Sequence, residues 1–420
     1  MERLGPFEPA PAMAVAVSGG ADSTALALLA RNWVVPRGGS LLALVVDHGL
    51  RAESGAEASL TLSRLSQRGI AGRLLTLHGL ARGPGLAARA RIARHAALAA
   101  ACAEMGILHL LLGHHMRDQA ETLRMRTCAR SGAAGLAAMA ALAEGELVRL
   151  LRPLLAVPPG WLRQFLHGEG MEWVEDPSNT DPASMRARVR AQLNDPDGDG
   201  FAVMSGLVRT RQLGEQRAGV ERATAAELAR EVRLHPEGWA LLPPGLVSPL
   251  ALAALLRMIA GRAYPVASEQ VAALAASPRA ATLAGTRLLP AGRAGTPGAW
   301  LLVREAAAMA PPVPALPGAT WDGRFRLSPR ACPKPGWHLG ALGPAAAGLR
   351  RLRPDWPAAV LQALPALWEG PRLMAVPALW EGPRLVAVPA LSYPDAAACA
   401  GLGLRFAPAV PLAGAEFLPI

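Results

Sequence analysis

The chain has almost no lysine and few cysteines. Lys334 is the only lysine among 43 basic residues, so arginine supplies nearly all of the positive charge. A phosphate loop of the Walker type requires a lysine after its second glycine, and Lys334 lies far from the glycine-rich turn described below. The four cysteines, Cys102, Cys128, Cys332 and Cys399, are widely spaced. This spacing excludes a Cys-x-x-Cys zinc site, a redox dithiol and a disulfide framework.

Long apolar runs and leader signals are also lacking. No stretch of about twenty apolar residues is free of charge and proline, as a membrane-spanning helix would require. Residues 1–11 contain two glutamates and three prolines, unlike a signal peptide. We therefore expect a soluble, cytoplasmic protein. The 420 residues predict two or three domains, at about 150 residues per domain.

The chain is strongly basic and poor in aromatic residues. Its formal net charge is +11, its pI is near 10.9, and aromatic residues make up 4%. Guanidinium groups bind phosphate in a bidentate manner and stack on bases, so this balance is compatible with a polyanionic partner such as RNA. The alternative is a proteome that generally uses arginine in place of lysine, and composition alone does not separate the two.

One short turn carries the clearest chemical signal. The apolar run at residues 12–17 is followed by Ser18-Gly19-Gly20-Ala21-Asp22-Ser23 and by the helical pattern of residues 22–32. A strand, a turn of small residues and a helix in this order let backbone N–H groups and the helix N-terminus surround an anion. The turn resembles the pyrophosphate loop of ATP pyrophosphatases, Ser-Gly-Gly-x-Asp-Ser. The alternative is a plain Gly-Gly turn between two elements.

The first half of the chain alternates short apolar runs with helical patterns, which is typical of βαβ units and a parallel sheet. It predicts strands at residues 12–17, 41–46, 72–77 and 107–112, and helices at 22–32, 53–68, 85–105 and 118–130. Later helices are predicted at residues 158–170, 206–233, 248–262 and 268–276. Ligands bind at the carboxyl ends of parallel strands. Since the phosphate loop, Asp47-His48 and His114-His115 all follow strands, we expect them to line one crevice.

Two carboxylates follow the histidine pair. Asp118 and Glu121 are three residues apart on a predicted helix, so they share a helix face and are expected to point toward the crevice. An N-capping aspartate with a capping-box glutamate explains the same spacing. A zinc site with His48 as a further ligand is disfavoured, because no further ligand set stands in register.

Two rows of arginines are candidates for contacts with RNA phosphates. They are Arg124, Arg126 and Arg130 on one predicted helix, and Arg186, Arg188 and Arg190 in a predicted polar loop or strand. Arginines on a helix face are also often solvated without any partner. The second row is therefore the stronger candidate.

Taken in order and spacing, these segments resemble the tRNA(Ile)-lysidine synthetase family. The matching segments are the phosphate loop, residues 47–51, Ala88-Arg89 with Arg94-His95, and residues 114–122, 132–139, 152–155, 175–179 and 186–190. The sequence departs from the family at His95, where tyrosine is frequent, and at Arg117, where an acidic residue is common. Residues 194–200 form a turn in place of the more usual helical continuation.

The resemblance implies a fold of the adenine nucleotide alpha hydrolase type and a ligase that uses ATP and Mg²⁺. Such an enzyme joins L-lysine to the wobble cytidine of the CAU anticodon of isoleucine tRNA. The reaction passes through an adenylated tRNA, forms lysidine, and changes codon specificity from AUG to AUA.

The resemblance also implies roles for individual residues. ATP is expected at Ser18–Ser23 with Asp47 and His48, and magnesium near Asp22. The implied catalytic residues are Asp22, Asp118 and Glu121. Lysine or tRNA is expected at Asp118, Glu121, Arg89, Arg186, Arg188 and Arg190.

Two other functions would use the same loop. A tRNA thiolase adenylates a base in this way but needs a persulfide-carrying cysteine or an iron–sulfur cluster, which the lack of a Cys-x-x-Cys pair disfavours. A non-catalytic RNA-binding protein is the second alternative, and the presence of Asp22 and Ser23 argues against it. Pyrophosphate release that requires tRNA and lysine together would separate the three functions.

Three regions are expected along the chain. Residues 1–200 are expected to form the catalytic domain, which ends at the Asn-Asp-Pro-Asp-Gly-Asp-Gly turn, and residues 201–305 a mainly helical middle region. Residues 310–420 are expected to form an accessory domain that binds tRNA. Within it, residues 365–376 and 377–388 differ at one position of the repeat, which favours a duplicated strand-turn-strand unit over a functional array. The oligomeric state is left open, with a homodimer as one option.

Overall fold

The computed structural model describes residues 1–49, 54–79, 83, 85–175, 184–370, 373–374, 379–380, 384–394, 399 and 401–420. Within them the chain forms two compact units, residues 1–221 with 415–420, and residues 222–414. Two parts of the motifs above, residues 50–51 and 176–179, lie outside the described residues. In the part of the chain that is described, no helix is long and apolar enough to span a membrane.

The first unit is built on a six-stranded sheet with the order β3-β2-β1-β4-β6-β5. Its strands are β1 (Ala12–Val17), β2 (Ser40–Asp47), β3 (Ala71–Thr76), β4 (His109–Leu111), β5 (Leu142–Glu144) and β6 (Arg149–Leu151). All neighbours are parallel except β5, which runs antiparallel to β6. The chain leaves β1 toward β2 and β3 and returns on the other side at β4. The topological switch point therefore lies between β1 and β4, where such sheets bind ligands.

Among the described residues, eight helices belong to this part of the chain. They are α1 (Ala21–Val34), α2 (Ser54–Gln67), α3 (Leu86–Glu104), α4 (Met116–Cys128), α5 (Ala133–Leu136), α6 (Pro159–Gly168), α7 (Met185–Leu193) and α8 (Phe201–Glu231), the last of which ends in the second unit. Helices α1, α2 and α3 pack directly on the sheet, and α6 packs on α1. Strand β1 is apolar at every position because both of its faces are covered. Val15 packs in the cluster that includes Leu26 of α1 and Leu162 of α6, and Ala14 packs with Leu98 of α3.

The segment 415–420 completes the first unit. The Ala141 N–H donates to the Leu418 carbonyl at 3.0 Å, and the Phe417 N–H donates to the Glu221 carboxylate at 2.9 Å. The Arg217 guanidinium lies 4.4 Å from the centre of the Phe417 ring. Leu418 and Ile420 pack against the core around β1. These residues belong to the first unit although the whole second unit precedes them in the sequence.

The second unit contains a five-stranded antiparallel sheet with the order β7-β8-β11-β10-β9. Its strands are β7 (Arg233–His235), β8 (Trp239–Leu242), β9 (Ala281–Leu283), β10 (Thr286–Pro290) and β11 (Trp300–Arg304). Two helices, α9 (Pro249–Ile259) and α10 (Ser268–Ala276), share a core with this sheet that includes Leu255, Ile259 and Leu302. Ser248 caps α9, since its hydroxyl accepts the Ala251 N–H.

The rest of the second unit consists of short strands and helices. They are β12 (Val313–Pro314), β13 (Thr320–Trp321), β14 (Phe325–Arg326), β15 (Trp337–Ala341), α11 (Ala346–Leu349), α12 (Ala358–Gln362), β16 (Pro365–Glu369), β17 (Leu373–Met374), β18 (Leu379–Trp380), β19 (Arg384–Ala387) and β20 (Arg405–Phe406). Sheets form in the orders β12-β15-β16-β19 and β13-β14-β20, beside the pair β17-β18. The two copies of the repeat are thus nested, with β16 on β19 and β17 on β18.

The α/β fold with a mainly parallel sheet confirms the fold class predicted from the sequence. One local prediction is wrong, because residues 185–193 form helix α7 rather than a polar loop or strand. The alternation of arginines at every second residue also places Arg186 and Arg190 on one helix face, four residues apart. The middle region also contains β7–β11, whose strands of three to five residues are too short to show a period.

Candidate active site

The phosphate loop is shaped by its own serine. The Ser23 hydroxyl accepts the Ser18 N–H and donates to the Gly20 carbonyl, both at 3.1 Å. The first helical bond of α1 runs from the Thr24 N–H to the Gly20 carbonyl. The N–H groups of the preceding first turn therefore have no carbonyl partner within the helix. Together with the helix dipole they form a site suited to an anion such as pyrophosphate.

The two glycines of the loop have different requirements. Gly19 has a φ of +85°, and a Cβ there would lie 2.7 Å from the Thr61 hydroxyl oxygen. Its carbonyl also accepts the Val174 N–H at 2.9 Å, so this position has no room for a side chain. Gly20 has a φ of −73°, and its nearest neighbour would lie at an ordinary 3.6 Å. Position 20 therefore has room for a Cβ without a clash.

The end of β4 lies directly against this loop. A Cβ on Gly113 would lie 3.1 Å from the Ser23 backbone, so a side chain there would require the loop to shift by a few tenths of an ångström. Two residues later, His115 Nε2 lies 3.3 Å from Asp22 Oδ2 and 3.5 Å from Asp118 Oδ2. Burial opposes the charged imidazolium, but the carboxylates of Asp118 and Asp22 outweigh it and raise the pKa of His115. His115 therefore links the phosphate loop to α4.

Asp118 is held as a buried carboxylate. It accepts the His115 N–H at 3.0 Å, which is the contact expected of a residue that caps the helix from its first turn. Burial opposes its ionisation, but His115, His114 and Arg186 outweigh this and lower the pKa of Asp118. Helix α4 is thus capped at His115 with Asp118 as the capping-box residue, so the alternative of Asp118 as N-cap with Glu121 as its capping-box partner is wrong.

Glu121 is fully buried among three arginines. Its carboxylate lies 2.7 Å from Arg190 Nε, 3.2 Å from Arg186 Nε and 3.7 Å from Arg117 Nε. Arg190 also lies 4.0 Å from Asp118, so it spans both carboxylates. The arrangement places carboxylates and guanidinium groups side by side, which suits a ligand that carries both signs of charge.

A basic cluster lies next to His114. Burial lowers the pKa of His114 to about 3, with Arg152, Arg186 and Arg91 adding to the shift against a smaller opposing effect of Asp118. Burial and the neighbouring arginines likewise lower the pKa of His95 to about 4. Both histidines are therefore neutral at pH 7, and the surrounding guanidinium groups provide the positive charge of this region.

The other predicted site residues lie on or after β2 and on α3 and α7. The Asp47 carboxylate accepts the Ser54 hydroxyl and the Gly49 N–H, and these bonds lower its pKa. His48 follows at the end of β2 and is half-buried. Arg89 and Arg188 are exposed on α3 and α7. Arg188 lies between Arg186 and Arg190 in sequence but on another side of the helix.

The first arginine row is divided between two environments. The Arg126 guanidinium donates to the carbonyls of Gly135 and Ala138 at 2.5 and 2.8 Å, so it supports the chain after α5. Arg124 and Arg130 are exposed. The arginine links to Glu121 were not predicted, although the four-residue spacing of Arg186 and Arg190 was a usable signal.

The described residues contain no group of three or more histidine, cysteine or acidic side chains that could hold a metal ion. Asp22 offers one partly exposed carboxylate at the N-terminus of α1. Mg²⁺ in nucleotide sites takes one or two carboxylates and completes its coordination with phosphate oxygens and water. This donor set therefore fits a magnesium ion that arrives with a nucleotide.

Burial raises the pKa of the Cys102 thiol to about 11, which keeps it protonated at neutral pH.

Comparisons with known proteins agree with this geometry. The family model described as the PP-loop domain matches residues 2–196. The tRNA(Ile)-lysidine synthase of Hyphomonas neptunium is 41% identical over 288 residues, which cover 65% of this chain and 77% of that protein. The synthase of Mesorhizobium japonicum is 37% identical over 74% of this chain and 71% of its own length. That of Ruegeria pomeroyi is 36% identical over 86% and 87%.

A solved structure also resembles part of the chain. The U34-tRNA thiolase NcsA from Methanococcus maripaludis, with its [4Fe-4S] cluster, aligns with a TM-score of 0.42 and 18% identity over 50% of this chain and 76% of that chain. A likeness at this level carries no argument about function.

Proposed function

Because the chain belongs to the tRNA(Ile)-lysidine synthase family, we propose that it joins L-lysine to the wobble cytidine of the CAU anticodon of isoleucine tRNA. The reaction uses ATP, passes through an adenylated tRNA, and forms lysidine, which changes codon specificity from AUG to AUA. The observation that carries the proposal is the chain of contacts from Asp22 through His115 to Asp118. It places an anion-binding loop beside a mixed carboxylate and guanidinium site.

The first step is adenylation of the tRNA. The cytosine carbonyl oxygen attacks the α-phosphorus of ATP, and the bond from that phosphorus to the bridging oxygen breaks. Pyrophosphate leaves into the loop of residues 18–23, where the first-turn N–H groups of α1 stabilise its developing charge. Asp22 would hold magnesium, which supplies charge neutralisation at the phosphates when it is bound.

The second step is attack by lysine. The neutral ε-amine of lysine adds to the activated ring carbon, and AMP leaves with the former carbonyl oxygen. We propose that Asp118 and Glu121 hold the amino acid through its α-ammonium group, which leaves the neutral ε-amine for the attack. Arg186 and Arg190, which already contact Glu121, are suited to its carboxylate. The amino acid is thus recognised as a zwitterion.

The exposed arginines outside the loop are proposed to bind the tRNA backbone. Arg188 of α7 is one candidate, and the region after residue 310 is proposed to grip the tRNA away from its anticodon. Because methionine tRNA carries the same anticodon, selectivity must be read on other tRNA surfaces.

Charge reversal at Arg350 or Arg351, both exposed, should weaken tRNA binding and reduce the salt slope by about 1 each. We propose that the reaction takes place in the cytoplasm.

The decisive experiment identifies the product. The protein is incubated with ATP, L-lysine and an unmodified CAU transcript, and the nucleoside mass and pyrophosphate release are measured. We expect lysidine, with repeated turnover of pyrophosphate release that requires tRNA and lysine together, because each tRNA is adenylated only once until lysine displaces AMP. Release that ignores lysine would favour a thiolase, and tRNA binding without release would favour a non-catalytic binding protein.

Loop variants separate catalysis from tRNA binding. Asp22→Ala and Ser23→Ala are expected to abolish turnover with nearly unchanged tRNA affinity, because the loop handles the nucleotide phosphates. Ser59→Ala, which removes a hydroxyl that donates to a carbonyl of α2, is the matched control. An equal loss of tRNA binding in the loop variants would contradict this separation of roles.

A further inference from the structure

The turn at residues 194–200 closes on its own side chains. Asn194 ends α7 with a φ of 45°, in the left-handed region. The Asp195 carboxylate then accepts the N–H groups of Gly198 and Gly200, each at 2.8 Å. The composition of this segment suggests a linker, but these bonds form a closed turn between α7 and α8.

Two arginines from different helices hold this turn from outside. Arg117 of α4 donates from Nη1 to the carbonyls of Asp195 and Pro196, at 3.2 and 2.9 Å. Arg163 of α6 donates from Nη2 to the same Pro196 carbonyl at 2.9 Å, and to the Asp197 carboxylate at 2.6 Å. One carbonyl of the turn therefore receives a donor from each helix at the same distance.

Arg117 differs from Arg163 because it also lies next to a carboxylate of the site, Glu121. Arg117 Nε lies 3.7 Å from Glu121 Oε1, and it is buried without a hydrogen-bond partner among the described residues. The two residues are four apart and so share one face of α4. Glu121 in turn contacts Arg186 and Arg190 of α7. The Arg117 guanidinium thus reaches both the turn that ends α7 and the carboxylate that holds the arginines of α7.

We propose that Arg117 is a positioning residue for lysine binding, which ties the carboxyl end of α7 to α4 and so fixes Arg186 and Arg190 beside Glu121. This rests on the proposed function, in which these groups receive the zwitterionic amino acid. A receptor that is already ordered loses less conformational freedom when its ligand arrives. Loss of the tie therefore raises the lysine concentration that the reaction requires.

The role needs an arginine. The planar guanidinium donates from Nη1 to two carbonyls while its Nε stays beside Glu121. A lysine ammonium on a flexible stem is a point charge and cannot occupy both places. Arg117→Lys therefore keeps the charge and removes the tie, whereas Arg117→Met removes both. Arg163→Met is the matched control, because it removes a donor to the same Pro196 carbonyl, and Arg163 pairs with Asp197.

The test combines two measurements on the full chain. Hydrogen exchange of residues 185–193 measures how well helix α7 is ordered. The KM for lysine at saturating ATP and tRNA measures how well Glu121, Arg186 and Arg190 bind the amino acid. Both Arg117 variants are expected to speed exchange and to raise this KM, each about tenfold, the factor produced by losing one hydrogen bond from a charged group. Formation of the adenylated tRNA should be nearly unchanged. Arg163→Met should move neither exchange nor KM by more than about twofold.

Each contrary result overturns a definite part of the proposal. Wild-type exchange in both Arg117 variants would show that the tie does not hold α7. A wild-type Arg117→Lys beside a defective Arg117→Met would show that charge alone suffices. If exchange is faster while the lysine KM is unchanged, the tie does not affect lysine binding. If Arg163→Met shows an equal defect, the effect does not depend on the contact between Arg117 and Glu121. If the wild-type protein makes no lysidine, the proposed function has failed and the exchange data alone decide on the tie.

Discussion

Each unit contains a buried carboxylate surrounded by arginines, and the two clusters differ in the exposure of those arginines. In the first unit, the Glu121 side chain has 0% exposure, whereas Arg190 and Arg186 keep 27% and 35%. In the second unit, Asp322 is 2% exposed, and its partners Arg304 and Arg324 are 9% and 0% exposed. The first cluster is open to solvent through its cations, and the second is closed on every side.

In the closed cluster, Asp322 receives several donors. Arg304 donates to both oxygens of Asp322 at 2.9 Å and to the Gly285 carbonyl at 2.6 Å. The Ala310 N–H adds a further bond of 2.9 Å to Asp322. Burial lowers the pKa of Arg324 to about 10, although Asp322 opposes the shift. This cluster joins separate segments of the second unit, and its charges are paired with one another.

In the open cluster the pKa of the arginine shifts in the opposite direction. Burial also acts against the charged form of Arg190, but its hydrogen bond to Glu121 outweighs burial and raises its pKa. A half-exposed guanidinium can exchange a carboxylate partner for a charged ligand without becoming a buried, unpaired charge. We infer that similar residues serve stability in one unit and ligand binding in the other.

The largest expected effect is on stability. Asp322→Asn leaves Arg304 and Arg324 buried without a counter-charge, so we expect a loss of about 3–5 kcal/mol in the free energy of unfolding. Glu121→Gln should lose only about 1–2 kcal/mol, because its arginines can turn toward water. Hydrogen exchange of β11 and β1 in urea measures the two units separately. Equal losses would contradict the distinction between closed and open clusters.

The effect on activity should have the opposite order. Asp118→Asn and Glu121→Gln are expected to raise the lysine requirement about tenfold or more and to spare the adenylated tRNA. Asp322→Asn, assayed well below its unfolding temperature, is the control and should leave the lysine KM unchanged. If adenylation and lysine use fall in parallel, the two carboxylates serve metal binding or folding instead.

Arginine-to-lysine exchanges should separate the clusters by a smaller amount. Arg304→Lys loses the paired bonds to Asp322, and we expect a cost of about 2 kcal/mol in unfolding free energy. Arg190→Lys should cost less than about 1 kcal/mol, because its contact is partly exposed and its second bond is long, at 3.4 Å. Urea unfolding of both variants is the measurement. A larger loss for Arg190→Lys would mean that the open cluster is mainly structural.

The smallest expected effect is a pH dependence that arises from His115 of the first unit. The pKa of His115 is raised above its ordinary 6.5, because Asp118 and Asp22 outweigh burial and the nearby Arg117. Its contribution to stability is therefore complete below about pH 6.5 and is lost as pH rises through the folded-state pKa. The pKa values of Asp118 and Asp322 are lowered, so their contribution to stability is present above pH 3.8 and is lost as the pH falls below it.

The stability difference between the wild type and His115→Gln should therefore shrink between pH 6 and 9. Over the same range the difference between the wild type and Asp322→Asn should stay constant. Urea titrations at several pH values measure both. A His115 difference that grows with pH would have the wrong sign and would contradict an imidazolium between Asp22 and Asp118.

What the sequence predicted well depends on local pattern. Strands β1 and β2 are apolar runs long enough to be buried on both faces, and the small residues of the phosphate loop mark the turn that follows β1. Helix α7 was missed because its arginines repeat at every second residue, a spacing that suits a strand as well as a helix. The strands of the second unit are too short to show any period.

The links within the site could not be read from local pattern. His115 reaches Asp22 because β1 and β4 are adjacent, with Val15 in register with Leu111. Arg117 reaches a carbonyl 78 residues away in the chain. Both contacts depend on how the chain returns to the sheet, which periodicity does not encode. The sequence therefore supplies candidates for the residues that carry the chemistry, whereas their partners are set by topology.

The tail of residues 415–420 ties the order of synthesis to the order of folding. Leu418 and Ile420 contribute to the core around β1, yet a ribosome makes them only after all of residues 222–414. The unit with the phosphate loop therefore waits for the second unit before it can bury this part of its core. A chain that stops within the second unit leaves apolar surface of the first unit exposed, and such surface is what chaperones and proteases recognise.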